Sequence, residues 1–267
     1  MQNDPLLDAT AVNGPRPAQF SEDEWQVRCD LAALYRLLAH FRMTDLIDTH
    51  ISARVPGKAS EFLINRYGVL FHEMRATDLV KIDETGNLID GRCAQDGWTA
   101  SVNKAGFVIH SAIHSARHDL LCVVHTHTSS GIAVAAQEDG LLPISQHALK
   151  FYQRLSYHDY EGIALDESER ERLVADLGAH KAMILRNHGL LAAGRSIPEA
   201  FNLIYFLERA CQAQIQAQSS GARLRIPSHE VCVRTANQFD SPRALDYFDF
   251  QWTAACRLLG ESSAWQC

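Results

Sequence analysis

The sequence predicts an α/β protein: one domain of alternating strands and helices, followed by a helical extension at the C-terminus. Short apolar runs rich in β-branched residues alternate along the chain with segments of helical periodicity. The 267 residues fit one large domain or two small ones, and no shift in composition divides the stretch from about 21 to 218. Hydrophobic residues make up 46% and charged residues 21%, so we expect an ordinary globular domain.

We divide the chain into three parts. Residues 1–20 are rich in Pro, Asn and Gly and lack the basic start and apolar core of a secretory signal, so we predict a flexible leader. Residues 21–218 form the α/β domain. Residues 219–267 are predicted to be a polar linker and a helix, which packs on the same domain or on a neighbouring subunit.

The first half of the domain begins with a helix. Ser21 and Glu24 form a capping box, which predicts that this helix opens at Ser21 and runs to about Phe41. Two strands, a helix, a buried strand and a short helix are predicted after it: 61–65, 78–83, 102–117, 120–127 and 129–137.

In the second half, helices again alternate with an apolar run. A helix begins with Asp166 as its N-cap and stops at Gly178. An apolar run over 182–189 follows and ends in a histidine and a glycine. A long helix then opens around Ser196, and a final helix spans about 244–260.

Net charge and cysteine usage exclude several classes of partner. The formal charge is −7 with no basic block, which disfavours nucleic acid and a polybasic membrane contact. No apolar run approaches the roughly 20 residues of a membrane span. The seven cysteines are odd in number and form no C-x-x-C pair, which predicts reduced thiols and a cytoplasmic location.

Two histidines, His125 and His127, close the buried run over 120–127. Side chains at i and i+2 of a strand point to the same face, so the two imidazoles project together where the strand ends. Neutral imidazoles placed in this way form half of a metal site. A pair of histidines hydrogen-bonded to the backbone explains the pattern equally well.

His188 adds a third histidine at the end of an apolar run, and Gly189 directly after it permits a close approach of backbone or ligand. Sites in open α/β sheets gather beyond the strand ends. Three histidines from two strand ends can therefore hold a catalytic metal with an open coordination position. The alternative is that His188 only caps an N-H-G turn.

A further histidine stripe lies on the helix predicted over 102–117. His110, His114 and His118 have i, i+4, i+8 spacing and so share one helix face. The zinc-protease motif needs a glutamate directly after the first histidine, and Ser111 stands there. We therefore predict that this stripe is a solvated or inter-subunit face.

The chain resembles the class II aldolase/adducin family, in its adducin-like bacterial branch, over about residues 24–218. The resemblance rests on motifs that occur in order: FVIHSAIHSARHDLLCVVHTHTSSG, LLPISQHALKFY, and AMILRNHGLLAAGRSIPEAF. It implies a three-layer α/β/α fold around a mixed central sheet and a cyclic homotetramer. It also implies one divalent ion per subunit, most often zinc but sometimes manganese or iron. The ligands carried over are His125, His127 and His188, and the chemistry implied is a metal-stabilised enediolate.

The sequence departs from the sugar-phosphate aldolases of that family at several positions. Gly106 stands where they have a glutamate that binds the metal or transfers a proton, and Lys104 stands among their phosphate-binding serines. His50 replaces their phosphate-binding asparagine. These changes disfavour a phosphorylated sugar and favour a small substrate with a carboxylate. We therefore expect a substrate pocket that includes the following residues: Arg66, Gly68, Lys104 and Gly106.

The missing glutamate requires another acid or base, for which His50, Glu73 and His147 are candidates. Glu73 is equally explained as a surface or capping carboxylate, His147 as a structural histidine, and Lys104 as a lysine that forms an outward salt bridge.

The function predicted is a metal-dependent carbon–carbon lyase, an aldolase or decarboxylase, acting on a small oxo- or hydroxy-acid. A non-catalytic, adducin-like assembly domain is one alternative, and a ferrous oxygenase on the same scaffold is another. The final helix is too apolar to stand free, so a homo-oligomer, with a tetramer preferred, is expected. Its aromatic residues are Tyr247, Phe248, Phe250 and Trp252.

Overall fold

A computed structural model describes residues 16–89, 102–162, 168–241, 243–260 and 265. Its centre is a seven-stranded mixed sheet, in which the neighbours β5 and β6 are parallel and all other neighbours are antiparallel. The strands are β1 His50–Arg54, β2 Glu61–Asn65, β3 Leu79–Asp83, β4 Cys122–Thr126, β5 Leu155–His158, β6 Ala182–Leu185 and β7 Gly189–Gly194. They lie in the order β3-β2-β1-β4-β7-β6-β5.

Helices cover both faces of the sheet, which confirms the predicted three-layer α/β/α fold. One face carries the larger apolar core, to which Leu34, Val124 and Ile204 belong. The other face packs Ile113, Leu173 and Leu191 together. The helices are α1 Glu22–His40, α2 Lys104–Ala116, α3 Ser129–Ala135, α4 Gln146–Leu149, α5 Glu169–Leu177, α6 Ile197–Ser219, α7 His229–Phe239 and α8 Arg243–Cys256.

Two helix starts follow the predicted capping signals. The Ser21 hydroxyl accepts a hydrogen bond from the Glu24 amide at the start of α1, and Ser196 does the same for Glu199 at the start of α6. Gly178 ends α5 with a positive φ of 53°, as predicted. Asp166, the predicted N-cap of α5, lies outside the described residues, and Ser168 directly precedes that helix.

Several elements were not predicted from the sequence. They are the strands β1, β5 and β7 and the one-turn helix α4. The segment 219–240, predicted to be a linker, contains α7, whose one-sided burial of Cys232 and Ala236 marks an amphipathic helix. Residues 1–15 of the predicted leader are outside the described part, while Phe20 is buried and stacks on Trp25.

The C-terminal helix α8 packs on α6 of the same chain. The Trp252 ring lies 5.7 Å from that of Phe201, and Phe248 is buried. Tyr247 and Phe250 remain 52% and 62% exposed, so part of the aromatic surface faces outward. In the part of the chain that the structure describes, no helix is long and apolar enough to cross a membrane.

Candidate metal centre

Three imidazoles converge at one end of the sheet. His125 lies in β4, His127 directly follows that strand, and His188 lies in the turn between β6 and β7. Their Nε2 atoms are 2.8 Å apart for His125 and His127, 2.9 Å for His127 and His188, and 3.3 Å for His125 and His188. We call these three residues the triad.

The turn between β6 and β7 places His188 against β4. A Cβ atom on Gly189 would lie 2.3 Å from the Thr126 carbonyl oxygen, so only glycine lets the two strands approach this closely. Asn187 adopts a positive φ of 55°, which asparagine tolerates, and its amide donates to the Ala135 carbonyl. The close approach expected for Gly189 is therefore a backbone contact.

Outer partners fix the orientation of two of the rings. Nδ1–H of His125 donates to the Leu190 carbonyl oxygen at 2.9 Å, because a carbonyl can only accept. Nδ1 of His127 lies 3.0 Å from a carboxylate oxygen of Asp45. With the proton on Nδ1, each Nε2 presents its lone pair to the centre of the triad, as metal-binding histidines do.

Two rings of the triad, those of His125 and His188, are held in the neutral, metal-binding form. Burial is the main cause that lowers the pKa of His188 to about 4, and the neighbouring His127 lowers it further. Burial also holds the pKa of His125 well below its ordinary value, with His188 and His127 as smaller causes.

The spacing fits one divalent ion. An ion about 2.0–2.1 Å from each Nε2 holds the nitrogens at about 2.8–3.4 Å from one another when the bond angles are between about 85° and 110°. Within the described ranges, these three nitrogens form the ligand group, and no carboxylate or thiol joins them.

His50 lies beside the triad. It is buried in β1, directly opposite His125 in the antiparallel register, and burial lowers its pKa to about 4, with His127 as the next cause. Gly106 of α2 makes room for it, because a Cβ atom there would lie 2.1 Å from Cδ2 of His50. The imidazole therefore fills the space in which a side chain at position 106 would begin.

Behind His50 lies a group that we call the inner cluster, formed by His110, His114 and Ser52. The Ser52 hydroxyl lies 2.6 Å from Nδ1 of His110 and 2.8 Å from Nε2 of His114. His114 also stacks on Phe62, with ring centroids 4.5 Å apart.

The prediction that the histidine stripe of α2 is a solvated or inter-subunit face is wrong for His110 and His114. They are 2% and 0% exposed because α2 lays this face on the sheet, where Ser52 supplies a polar partner. His118, beyond the end of the helix, is exposed.

The remaining predicted site residues lie in the turn after β2 and at the start of α2. The turn with Arg66 and Gly68 follows β2 at the end of the sheet where β1 begins, so it lies on the side of His50. Lys104 begins α2, two residues before Gly106, and its side chain is outside the described part.

Glu73 and His147 have contacts outside the triad. The Glu73 carboxylate is exposed and accepts a hydrogen bond from the Leu70 amide, which matches the capping alternative. His147 packs on Phe206 of α6, with centroids 5.0 Å apart.

Sequence reasoning missed two residues at this site. Asp45, which holds His127, lies in a loop 82 residues earlier, and no motif or spacing connects the two. Tyr160 is 53% exposed, and its ring centroid lies 6.3 Å from that of His188.

The chain matches the family described as Class II Aldolase and Adducin N-terminal domain over residues 29–215. A Pseudomonas aeruginosa protein named "Putative aldolase class 2 protein" is 53% identical over 208 residues, 78% of this chain and 77% of that protein. The crystal structure of an aldolase II superfamily protein from Pseudomonas syringae superposes with a TM-score of 0.85 at 52% identity, covering 92% of this chain and 97% of that one.

Two further relatives carry different descriptions. An L-fuculose 1-phosphate aldolase from Glaciozyma antarctica superposes with a TM-score of 0.79 at 27% identity, covering 92% of this chain and 93% of that one. Rat alpha-adducin is 42% identical over 210 residues, which are 78% of this chain but 28% of the adducin.

Proposed function

The chain belongs to the class II aldolase and adducin N-terminal domain family, and from that premise we propose that it is a divalent-metal-dependent carbon–carbon lyase. The reaction is that of an aldolase or a decarboxylase on a small, non-phosphorylated oxo- or hydroxy-acid. The observation that carries the proposal is the convergence of three Nε2 atoms within 3.3 Å, with two of the rings held from behind at Nδ1.

The triad would hold the ion, for which zinc is preferred because imidazole suits it, with manganese or iron as other occupants. When bound, such an ion acts as a Lewis acid that stabilises negative charge on a substrate oxygen while a carbon–carbon bond breaks. The three imidazoles remain neutral ligands, and the side without a protein ligand admits the substrate.

His50 is the proton-transfer residue that we propose among the three candidates. It lies across the β1–β4 ladder from His125, whereas the contacts of Glu73 and His147 are with Leu70 and Phe206. The imidazole is neutral in this buried position, so Nδ1 or Nε2 can accept a proton from the substrate and return it to the product. Gly106 leaves the space for this ring.

A carboxylate on the substrate is the second part of the proposal. Arg66 lies in the turn after β2, at the end of the sheet where β1 begins. A guanidinium can bind a carboxylate with two parallel hydrogen bonds. The turn and the start of α2 would together form the pocket, which includes Gly68 and Lys104.

The test is a turnover screen of oxo- and hydroxy-acids with the metal-loaded chain. Cleavage products are followed by NMR, with oxygen present and under strict anaerobiosis. We expect cleavage or carbon dioxide release that is independent of oxygen and lost in His188→Ala. His118→Ala is the matched control, because that histidine is exposed beyond the C-terminal end of α2, and it should keep full activity. Turnover that requires oxygen would instead identify a ferrous oxygenase.

A non-catalytic assembly domain is the second candidate, favoured by the 42% identity to rat alpha-adducin and by the absence of a carboxylate from the described metal-ligand group. It predicts no turnover of any acid in the screen by protein that carries metal. Sedimentation tests the accompanying proposal of a homotetramer, in which the exposed Tyr247 and Phe250 face a neighbouring subunit. A cytoplasmic location is proposed from the free thiols, four of them buried: Cys29, Cys122, Cys211 and Cys232.

A further inference from the structure

A cavity of about 270 Å³ lies away from the metal centre. Lys181 and Ala182, at the start of β6, form one wall of the cavity, whereas His188 follows the end of the same strand. The other walls come from α6, from the end of α7 and from α8, which contribute Leu203, Phe239 and Phe248. The cavity and the triad therefore lie toward opposite ends of β6.

Lys150, directly after α4, lines this cavity with an almost fully buried side chain. The residue is only 8% exposed. Its ammonium lies 5.0 Å from the centre of the Phe206 ring, 5.3 Å from that of Phe248 and 5.7 Å from that of Phe239. It donates a hydrogen bond to the side-chain oxygen of Asn202.

The other cations of the cavity already have carboxylate partners. Lys181 pairs with Glu199 at 2.7 Å, and Arg154 pairs with Asp240 at 3.3 Å. Among the described residues that line the cavity, Lys150 is the one lysine or arginine for which no carboxylate lies within ion-pair distance.

Such an amine is poorly stabilised as a cation. Burying an ammonium without a counter-ion costs several kcal/mol, and aromatic faces offset only part of that cost. Burial accordingly lowers the pKa of Lys150 to about 7, although Glu199 and Asp240 oppose the shift from a distance. An anion that entered the cavity would restore the missing counter-charge.

We propose that this cavity is a second ligand site, which binds a small monocarboxylate through the ammonium of Lys150. The cavity is at the lower end of the size range of ligand sites, so the ligand is small. One ammonium without a counter-ion matches one negative charge. The walls formed by Leu203, Phe239 and Phe248 suit an apolar body behind the carboxylate, such as a short alkyl chain or a single aromatic ring.

A carboxylate bound in the cavity would also contact the C-terminal helix α8. Phe248 belongs to α8, and Gln251 of the same helix accepts a hydrogen bond from Asn202, the partner of Lys150. A bound carboxylate therefore contacts α4, α6 and α8 at once, and it stabilises the folded chain by mass action.

The experiment titrates the full chain with acetate, butyrate and benzoate, and with benzamide as a neutral analogue of benzoate. Calorimetry and ligand-observed NMR measure binding at pH 6.5 and pH 8.5. We expect at least one carboxylate to bind, benzamide to bind at least tenfold more weakly than benzoate, and affinity to fall roughly tenfold or more at the higher pH. The reason is that the amine loses its proton between these two values.

Three variants test whether Lys150 is the group that binds the carboxylate. Lys150→Met keeps the apolar stem and removes the charge, so it should weaken carboxylate binding at least tenfold. Lys58→Met, at an exposed lysine that does not line the cavity, is the matched control and should change binding less than threefold. His180→Gln should keep the pH dependence, which separates Lys150 from the imidazole that also lines the cavity.

Two outcomes would overturn the proposal. One is that none of the three carboxylates binds to the wild-type chain at concentrations up to about 10 mM. The other is that Lys150→Met binds them as tightly as the wild type. Neither outcome bears on the lyase proposal, because the titration requires no turnover and the triad is intact in every variant.

Discussion

The triad and the inner cluster both consist mainly of histidines, but the partners of their ring nitrogens differ. In the inner cluster, the Ser52 hydroxyl stands between two imidazoles and can donate to one ring while it accepts from the other. In the triad, no protein hydrogen stands between the Nε2 atoms of His125 and His127 when both Nδ1 atoms carry the proton. Lone pairs that face each other at 2.8–3.3 Å repel unless a cation lies between them.

This difference separates a ligand site from a structural site. The inner cluster satisfies most of its polar atoms with protein groups, although His110 Nε2 and His114 Nδ1 have no hydrogen-bond partner in the described structure. The triad has three nitrogens that one external cation could hold together. The orientation of the nitrogens, and not the number or spacing of the histidines, decides which group can bind a metal.

Gly106→Ala should have the largest effect on stability, because it pushes the added methyl group into His50 beside the triad. The new Cβ would lie 2.1 Å from the ring, which forces the imidazole or α2 to move. We expect a loss of about 3 kcal/mol in the free energy of unfolding, at the upper end for overpacking. Urea unfolding measures it. The double variant with His50→Ala should recover most of the loss, and strictly additive losses would contradict the contact.

Asp45→Asn should weaken metal binding at the triad. The substitution removes the carboxylate that holds Nδ1 of His127, and the loss of such outer partners lowers metal affinity about 10- to 100-fold. Competition with a chromogenic chelator measures the change. Asp48→Asn, in the same exposed loop, is the control and should leave the affinity within twofold. Equal affinities for all three proteins would show that Asp45 does not support the site.

Ser52→Ala should break the inner cluster without emptying the triad. The change leaves one buried nitrogen on each of His110 and His114 without its partner, at a cost of about 2 kcal/mol in unfolding free energy. Ser111→Ala, at a buried serine of α2 that touches neither ring through its hydroxyl, should cost clearly less. Metal content should remain unchanged in both variants. A parallel loss of metal would mean that the two groups of histidines act as one.

The pH dependence of stability should show the buried neutral state of His114. Burial, helped by the Arg54 charge, lowers its pKa to about 3 in the folded chain, and His110 also faces it. The unfolded chain therefore binds a proton more readily, so this contribution to stability is complete above about pH 6.5 and is lost as the pH falls. The slope is at most about 1.4 kcal/mol per pH unit for one group.

His114→Phe keeps the ring that stacks on Phe62 but removes the titrating group. Between pH 7 and pH 5, the variant should lose roughly 2 kcal/mol less unfolding free energy than the wild type. His118→Phe changes an exposed histidine and should behave like the wild type. The same loss in His114→Phe and wild type would mean that His114 is protonated in the folded state.

The difference between the triad and the inner cluster also explains which features could be predicted from the sequence. His125, His127 and His188 were predicted to come together because two simple rules applied: a period of two along a strand, and the convergence of side chains beyond strand ends. The nitrogen atoms do meet in the structure. The role of Gly106 was beyond sequence reasoning, because it depends on where the His50 ring lies in three dimensions.

The inner cluster was assigned to the wrong environment for a physical reason. A stripe at i, i+4 and i+8 has the same pattern whether it faces solvent or a polar patch of a sheet, and the polarity of histidine suggested solvent. The deciding partner, Ser52, is 58 residues from His110 and 62 from His114. β1, which carries that serine, has the alternating sequence HISAR, but the strand was not predicted and its five residues are all buried.

Metal content most directly tests the central claim that the triad is a metal site. The wild type, His188→Ala and His118→Ala are purified without chelators and compared by elemental mass spectrometry. We predict about one divalent ion per chain in the wild type and in His118→Ala, and less than about a tenth of that in His188→Ala. A wild-type chain without metal after incubation with zinc, manganese or ferrous iron, or equal metal content in all three proteins, would contradict it.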